Sequence, residues 1–255
     1  MEIYDLTQRI GVSTPPWPSY EPLELKYFKR LSTEGVNGQI IRTSNHIGTH
    51  LDGERHFWTA GRDMAEIPLD ELVGEGVIVD ISDEVEDFDI YTSDMIEDKL
   101  AEHDLEIREN DILIINTGYH KYGWDQPEAD EVRYFMKHPG PNMEFAEWCI
   151  EKDLNWLGVD CGSQDHPMNT VLRDFRPDIA KEAEEHLGQS LDEIFSHEDT
   201  YQLMHTQLFP EEIIHAENLG GEIEEVLNTR CTIGFFPWKG VDMESSIGRC
   251  VAFVE

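Results

Sequence analysis

Positive charge is what this chain has least of: 19 Lys+Arg stand against 54 Asp+Glu in 255 residues, a formal net charge of -35. Only eight of the cations are lysines. So anionic a surface excludes a basic patch for nucleic-acid phosphates or anionic lipid. No run approaches 18 consecutive apolar residues, so no membrane span is expected. The opening Met1-Glu2-Ile3-Tyr4-Asp5-Leu6 has neither the basic nor the apolar region of a signal peptide, and a cytoplasmic protein is expected. Cysteine is scarce too. Cys149, Cys161, Cys231 and Cys250 form no C-x-x-C pair and read as reduced, partly buried small hydrophobes. GxSxG, P-loop and GxGxxG patterns are absent, which removes serine-nucleophile, nucleotide-hydrolysing and Rossmann readings.

What is present suffices for a core, since 39% hydrophobic residues plus 19 glycines is the usual globular share. The length permits one large α/β domain or two small ones, and with no repeat or linker a single domain over residues 1–255 is expected. Strands are expected at Leu25–Phe28, Gly38–Thr43, Gly76–Ser82, Asp111–Thr117, Trp156–Asp160, Cys231–Phe236 and Arg249–Val254. Helical spacing marks Thr92–Glu102, with Ser93 as its cap, and Met143–Lys152. The polar region Asp178–Phe195 reads as helix, its Glu182–Asp192 acids as a solvated face rather than a calcium site. Strands outnumber helices in an order neither strictly βαβ nor all-β.

One segment stands apart: Asn45-His46-Ile47-Gly48-Thr49-His50-Leu51-Asp52-Gly53-Glu54-Arg55-His56-Phe57. Positions 46, 50, 52 and 56 share one parity, so an extended chain aims all four side chains one way. A helix would turn 52 away from 46 and 50, and a straight strand would part 46 from 56 by about 33 Å at roughly 3.3 Å per residue. The chain must therefore bend, and Gly48 and Gly53 sit where bending is cheap. Imidazoles with a carboxylate suit a divalent ion, Zn2+ or Mn2+. Further ligands from distant sequence are sought at His166, at His205, and at His215 with Glu217, while His103, His120, His138, His186 and His197 read as loop or exposed helix positions. Trp17, Tyr20, Phe57 and Trp58 are candidates for an apolar substrate pocket.

His46-Ile-Gly-Thr-His50-Leu-Asp52 resembles the H-x-G-T-H-x-D signature of the metal-dependent cyclase family, which includes kynurenine formamidases and isatin hydrolases. The likeness runs along nearly the whole chain, through Asp5-Leu-Thr, the Pro15–Trp17–Pro18 loop, Ile67-Pro-Leu, Gly76–Asp80, Asp111–Gly118, Gly158-Val-Asp160, Glu217-Asn-Leu and Arg249-Cys-Val-Ala. The resemblance implies an α/β, swivelling β/β/α fold, a homodimer or homotetramer, and hydrolysis of a C–N amide bond in an N-formyl aromatic or small cyclic amide. It also implies one or two divalent ions on His46, His50 and Asp52, with His205 and Glu217 completing a second position, and His56 as the catalytic histidine. Two departures stand out: Glu54 replaces the proline of the usual D-x-P-x-H, and the acidic stretch between His166 and His205 is long, enough for a lid or subunit contact. Lactone or imide hydrolysis, or cyclase activity, stays open on the same fold. So does a metal-binding interaction protein without catalysis, which Glu54 favours. The negative field favours cation capture and a neutral substrate over an anionic one.

The acids are spread from Glu2 to Glu255 with no acidic tail. Dispersed Asp/Glu with little Lys suits either adaptation to high salt, where screening removes self-repulsion, or a merely acidic low-salt enzyme. Thermal unfolding in low against molar KCl separates them: salt stabilises the first, and an unchanged melting temperature excludes it.

Overall fold

The computed structural model describes residues 1–196 and 200–255, so His197 falls outside the described residues. Its strands are β1 (Glu2–Asp5), β2 (Glu24–Lys29), β3 (Gly38–Arg42), β4 (His50–Asp52), β5 (Val73–Asp80), β6 (Ile90–Tyr91), β7 (Ile112–Asn116), β8 (Gly140–Pro141), β9 (Trp156–Val159), β10 (Ile214–Glu217), β11 (Thr229–Pro237) and β12 (Ser245–Val254). The main sheet runs β1-β12-β11-β5-β7-β9-β10-β4, and β4 pairs back onto β12. Seven strands thereby close into a barrel-like ring with β1 outside it. β12 makes the closure, pairing Ser245–Ile247 with β4 and its far end, Val251–Val254, with β1.

β5, β7, β9 and β10 are parallel neighbours, and their continuous apolar runs follow from burial on both faces. Ile78, Ile112, Ile114, Trp156, Ile214 and Ala216 fill the barrel with Ile233, Phe235 and Ala252. The alternate residues Val77, Val79, Leu113, Ile115 and Leu157 point outward under a helical layer. That layer includes Ser93–Glu102, Met143–Glu151, Pro177–Leu187 and Leu203–Leu208. The expected α/β class holds. The acidic stretch forms helices Pro177–Leu187 and Leu191–Ile194, parted at Gly188 with φ 69°, and packs Ile179, Ala183, Leu191 and Phe195 into the outer core. All four cysteines are free and buried. No helix among the described residues is long and apolar enough to cross a membrane.

Several local expectations shift. Thr92, not Ser93, occupies the N-cap, and the Ser93 hydroxyl donates to Glu144 instead. Asn142 caps Met143–Glu151 by accepting the Phe145 N–H at 3.1 Å. Strands β2 and β3 are as expected; they pair antiparallel as a hairpin, with Leu25, Phe28, Ile40 and Ile41 all exposed.

β4 alternates across the barrel wall, so Leu51 enters the interior core while its neighbours His50 and Asp52 face out. Leu51→Ala is expected to lower unfolding stability by about 2–5 kcal/mol through the cavity it leaves. Urea denaturation followed by circular dichroism measures it, and a loss under about 1 kcal/mol would contradict this packing.

Candidate metal centre and active site

The site forms on the outer face of β4 and β10, which pair antiparallel with His215 opposite Asp52 and Glu217 opposite His50. Alternation then brings four metal-ligating side chains onto one face, while Leu51 and Ala216 take the inner face. His205 arrives from the overlying helix Leu203–Leu208. His46 comes from the loop before β4, and Gly48 makes the expected bend with φ 58°. Gly53 serves differently. Its backbone is extended, and a Cβ there would sit 2.3 Å from the Met64 side chain and 3.0 Å from the Glu244 carbonyl oxygen.

His46 Nδ1 lies 2.9 Å from Asp52 Oδ1 and its Nε2 lies 3.0 Å from Glu244 Oε2. His50 donates through Nδ1 to the Gly48 carbonyl at 2.9 Å, which turns Nε2 towards Asp52 Oδ1 at 3.2 Å and Glu217 Oε2 at 3.7 Å. His205 Nδ1 lies 2.5 Å from Asp165 Oδ2, and its Nε2 lies 3.6 Å from Asp52 Oδ2 and 3.7 Å from Glu217 Oε1. Asp165 is held in turn by the Met204 N–H at 2.9 Å. Glu217 Oε1 accepts from the Gln164 N–H at 2.8 Å and the Ser163 hydroxyl at 3.2 Å. A histidine fixed by a carbonyl or carboxylate through one nitrogen, with the other aimed inward, is the usual preparation of a metal ligand.

Charge balance shows the same preparation. Burial opposes protonation of His46, but Asp52 and Glu244 outweigh it and hold the ring up to about 10. Burial likewise opposes protonation of His205, which Asp165 and Asp52 hold up to about 10. Burial pushes the Asp52 carboxyl up, and the facing His46 and His50 bring it well below the usual range. Glu217 is raised by burial and by Asp52 beside it. Burial keeps His215 neutral. The cluster thus holds buried carboxylates against imidazoles and invites a cation. His50 Nε2 and Asp52 Oδ1 are buried and 3.2 Å apart yet make no well-directed hydrogen bond, and nitrogen and oxygen donors of this kind fit a divalent ion.

His56 stands beside the cluster. It follows β4 in the 3-10 turn Glu54–His56, and its Nδ1 lies 3.0 Å from Glu244 Oε2. Its ring lies 4.2 Å from that of His46 and 5.7 Å from that of His205, centroid to centroid. Burial lowers its pKa although Glu244 opposes this. Glu54 does not intrude: it is buried, accepts the Arg62 N–H at 2.7 Å and pairs with the Arg62 guanidinium at 2.6 Å.

A cavity of about 40 Å³ opens over the cluster, lined by Trp17, Tyr20, Phe57 and Gln202 together with His56 and His205. Trp17 is tied to the site by its N–H, which donates to the His46 carbonyl at 3.1 Å. Trp58 is not in this lining; its N–H donates to the Glu54 carbonyl at 2.8 Å. His166 stays outside the cluster as well, with Nε2 2.9 Å from the Phe88 carbonyl oxygen and Nδ1 accepting from the Met168 N–H. Two histidines expected in loops or on exposed helices are otherwise engaged. His138 is fully buried, 3.3 Å from Cys161 Sγ, and His120 Nδ1 lies 2.9 Å from the buried Asp160. Sequence reasoning missed Glu244 and Asp165. Only the pairing of Ser245 with Asp52 brings Glu244 in, and no local spacing announces it.

Residues 4–166 match the model of the cyclase family, described as "Putative cyclase". Cyclase-like protein 1 of Arabidopsis thaliana is 36% identical over 174 residues, 62% of this chain and 61% of its own length. Kynurenine formamidase of Salinibacter ruber is 29% identical over 84 residues, 32% of this chain and 40% of its own. This chain therefore spans about 40% to 61% of the length of those two relatives. Isatin hydrolase A from Ralstonia solanacearum has the same fold, with a TM-score of 0.79 at 20% identity over 100% of this chain and 92% of that one. The match of residues 4–166 to the family model, which includes the H-x-G-T-H-x-D segment leading into β4, makes the chain a member of the cyclase family.

Proposed function

We propose that this chain is a metal-dependent hydrolase that cleaves the C–N amide bond of a neutral N-formyl aromatic or small cyclic amide. The observation that carries the reading is the convergence of His50, Asp52, His205 and Glu217 on one buried point beside His56. The names of the formamidase and isatin hydrolase relatives support the choice of bond. His46, His50 and Asp52 would hold one Zn2+ or Mn2+, with His205 and Glu217 completing a second position. A divalent ion there supplies Lewis acidity towards water and the scissile carbonyl.

The chain's own groups do the rest. Glu244 fixes Nδ1 of His56 and leaves Nε2 to take a proton from the attacking water and pass it to the departing nitrogen. A pKa below the ordinary imidazole value keeps that base unprotonated at neutral pH. Trp17 and Phe57 give the substrate ring an apolar wall. A net charge of -35 disfavours anionic substrates and leaves a neutral amide unopposed.

The test is a panel of N-formyl aromatics, isatin, lactams and lactones, assayed with Zn2+, Mn2+ and no metal. Amide cleavage that disappears on chelation and returns with metal is expected. His56→Ala should keep its metal and lose about 100-fold or more in turnover, whereas His50→Ala loses both. Full amidase activity after exhaustive chelation would rule the reading out.

The same reading takes the chain as a homodimer or homotetramer. The exposed pair Leu25 and Ile41, opposite one another on β2 and β3, supports the hairpin as its contact. Leu25→Glu with Ile41→Glu is expected to shift the mass seen by light scattering towards the monomer; an unchanged mass would exclude the hairpin.

A further inference from the structure

His215 is the one histidine of the cluster whose burial is still unexplained. It is fully buried, and neither ring nitrogen has a hydrogen-bond partner. Its neighbours differ: a carbonyl holds His50, Asp165 holds His205, Glu244 holds His56, and two carboxylates hold His46. A buried imidazole with both nitrogens unpaired is costly, and an apolar side chain would avoid that cost. His215 does not simply face the core. Strand alternation puts it on the same face as Glu217 and opposite Asp52. Its ring meets that of His205 at 5.0 Å between centroids, edge to face. One ligand atom from each of His205, His215 and Glu217 lies within 4.8 Å of the others.

We propose that His215 is itself a metal ligand, the imidazole that joins His205 and Glu217 in a nitrogen-rich cation position next to Asp52. The inference rests on the metal-dependent reading above and deepens it. Two imidazoles at this position favour Zn2+ over Mn2+, because nitrogen donors rank these ions further apart than carboxylates do. The adjoining set of His46, His50 and Asp52 has no need of His215, so the two positions respond separately to its loss.

The experiment compares wild type, His215→Leu and His215→Gln, each stripped of metal and titrated with Zn2+, Mn2+ and Co2+. The metal content, the affinities and the visible absorption of bound Co2+ are read, with melting temperatures taken with and without Zn2+. Both variants should bind Zn2+ at the affected position at least about tenfold more weakly, with a smaller preference over Mn2+ and an altered Co2+ spectrum. Without metal, His215→Leu should melt at or above wild type, since the unpaired ring is gone. With Zn2+ it should gain less than wild type does. If His215 only fills space, its loss lowers the melting temperature equally with and without Zn2+ and leaves the affinities alone, which overturns the proposal. His215→Gln keeps a polar side chain of similar size, so unchanged Zn2+ binding in that variant overturns it even if His215→Leu does not fold. A wild type that binds no divalent ion would instead remove the hydrolase reading and this inference together.

Discussion

The register between β4 and β10 is the constraint on which the site depends. With Ala216 opposite Leu51, every second side chain on both strands enters the barrel, and the remainder gather His50, Asp52, His215 and Glu217 on the outer face. A slip of one residue would send the ligands into the interior and the apolar residues onto the site. Hydrophobic burial inside thus enforces polar placement outside. The same logic extends to β12, whose pairing of Ser245 with Asp52 delivers Glu244 to both His46 and His56.

Packing so many carboxylates beneath a hydrophobic helix carries a desolvation cost that only cations or hydrogen bonds offset. Protons fill that role for His46 and His205, both held in charged form by neighbouring acids. On the metal-dependent reading, a divalent ion taken up here would compete with these protons for the same oxygens and release them. Glu54 is handled separately, since Arg62 neutralises it within the turn and fixes the segment that carries His56. The arginine clamp stands where the family usually has proline, so an ion pair restrains the turn in place of a ring.

Much of this was legible in the sequence. The shared parity of 46, 50, 52 and 56 with a required bend describes β4, Gly48 and the following turn, because those are local facts of chain geometry. The apolar runs of β5, β7 and β9 announce a sheet buried on both faces. What escaped is set by pairings between distant segments. β10 carries His215 and Glu217 in four residues with too little pattern to mark a strand, and Glu244 and Asp165 look like any of the 54 acids until the fold places them. His138 and His120 misled for the same reason: proximity to Pro139 or to a tyrosine turn says nothing of Cys161 or Asp160 across the fold.

The cavity above the cluster, about 40 Å³, has room for a few water molecules. Tyr20 and Phe57 form part of its rim, and Trp17, through its link to the His46 carbonyl, joins that rim to the loop that precedes β4. On the proposed reading, a bound substrate displaces that water and rests against the same loop that carries His46. With a net charge of -35 around that rim, a neutral molecule approaches it without the repulsion that an anion meets.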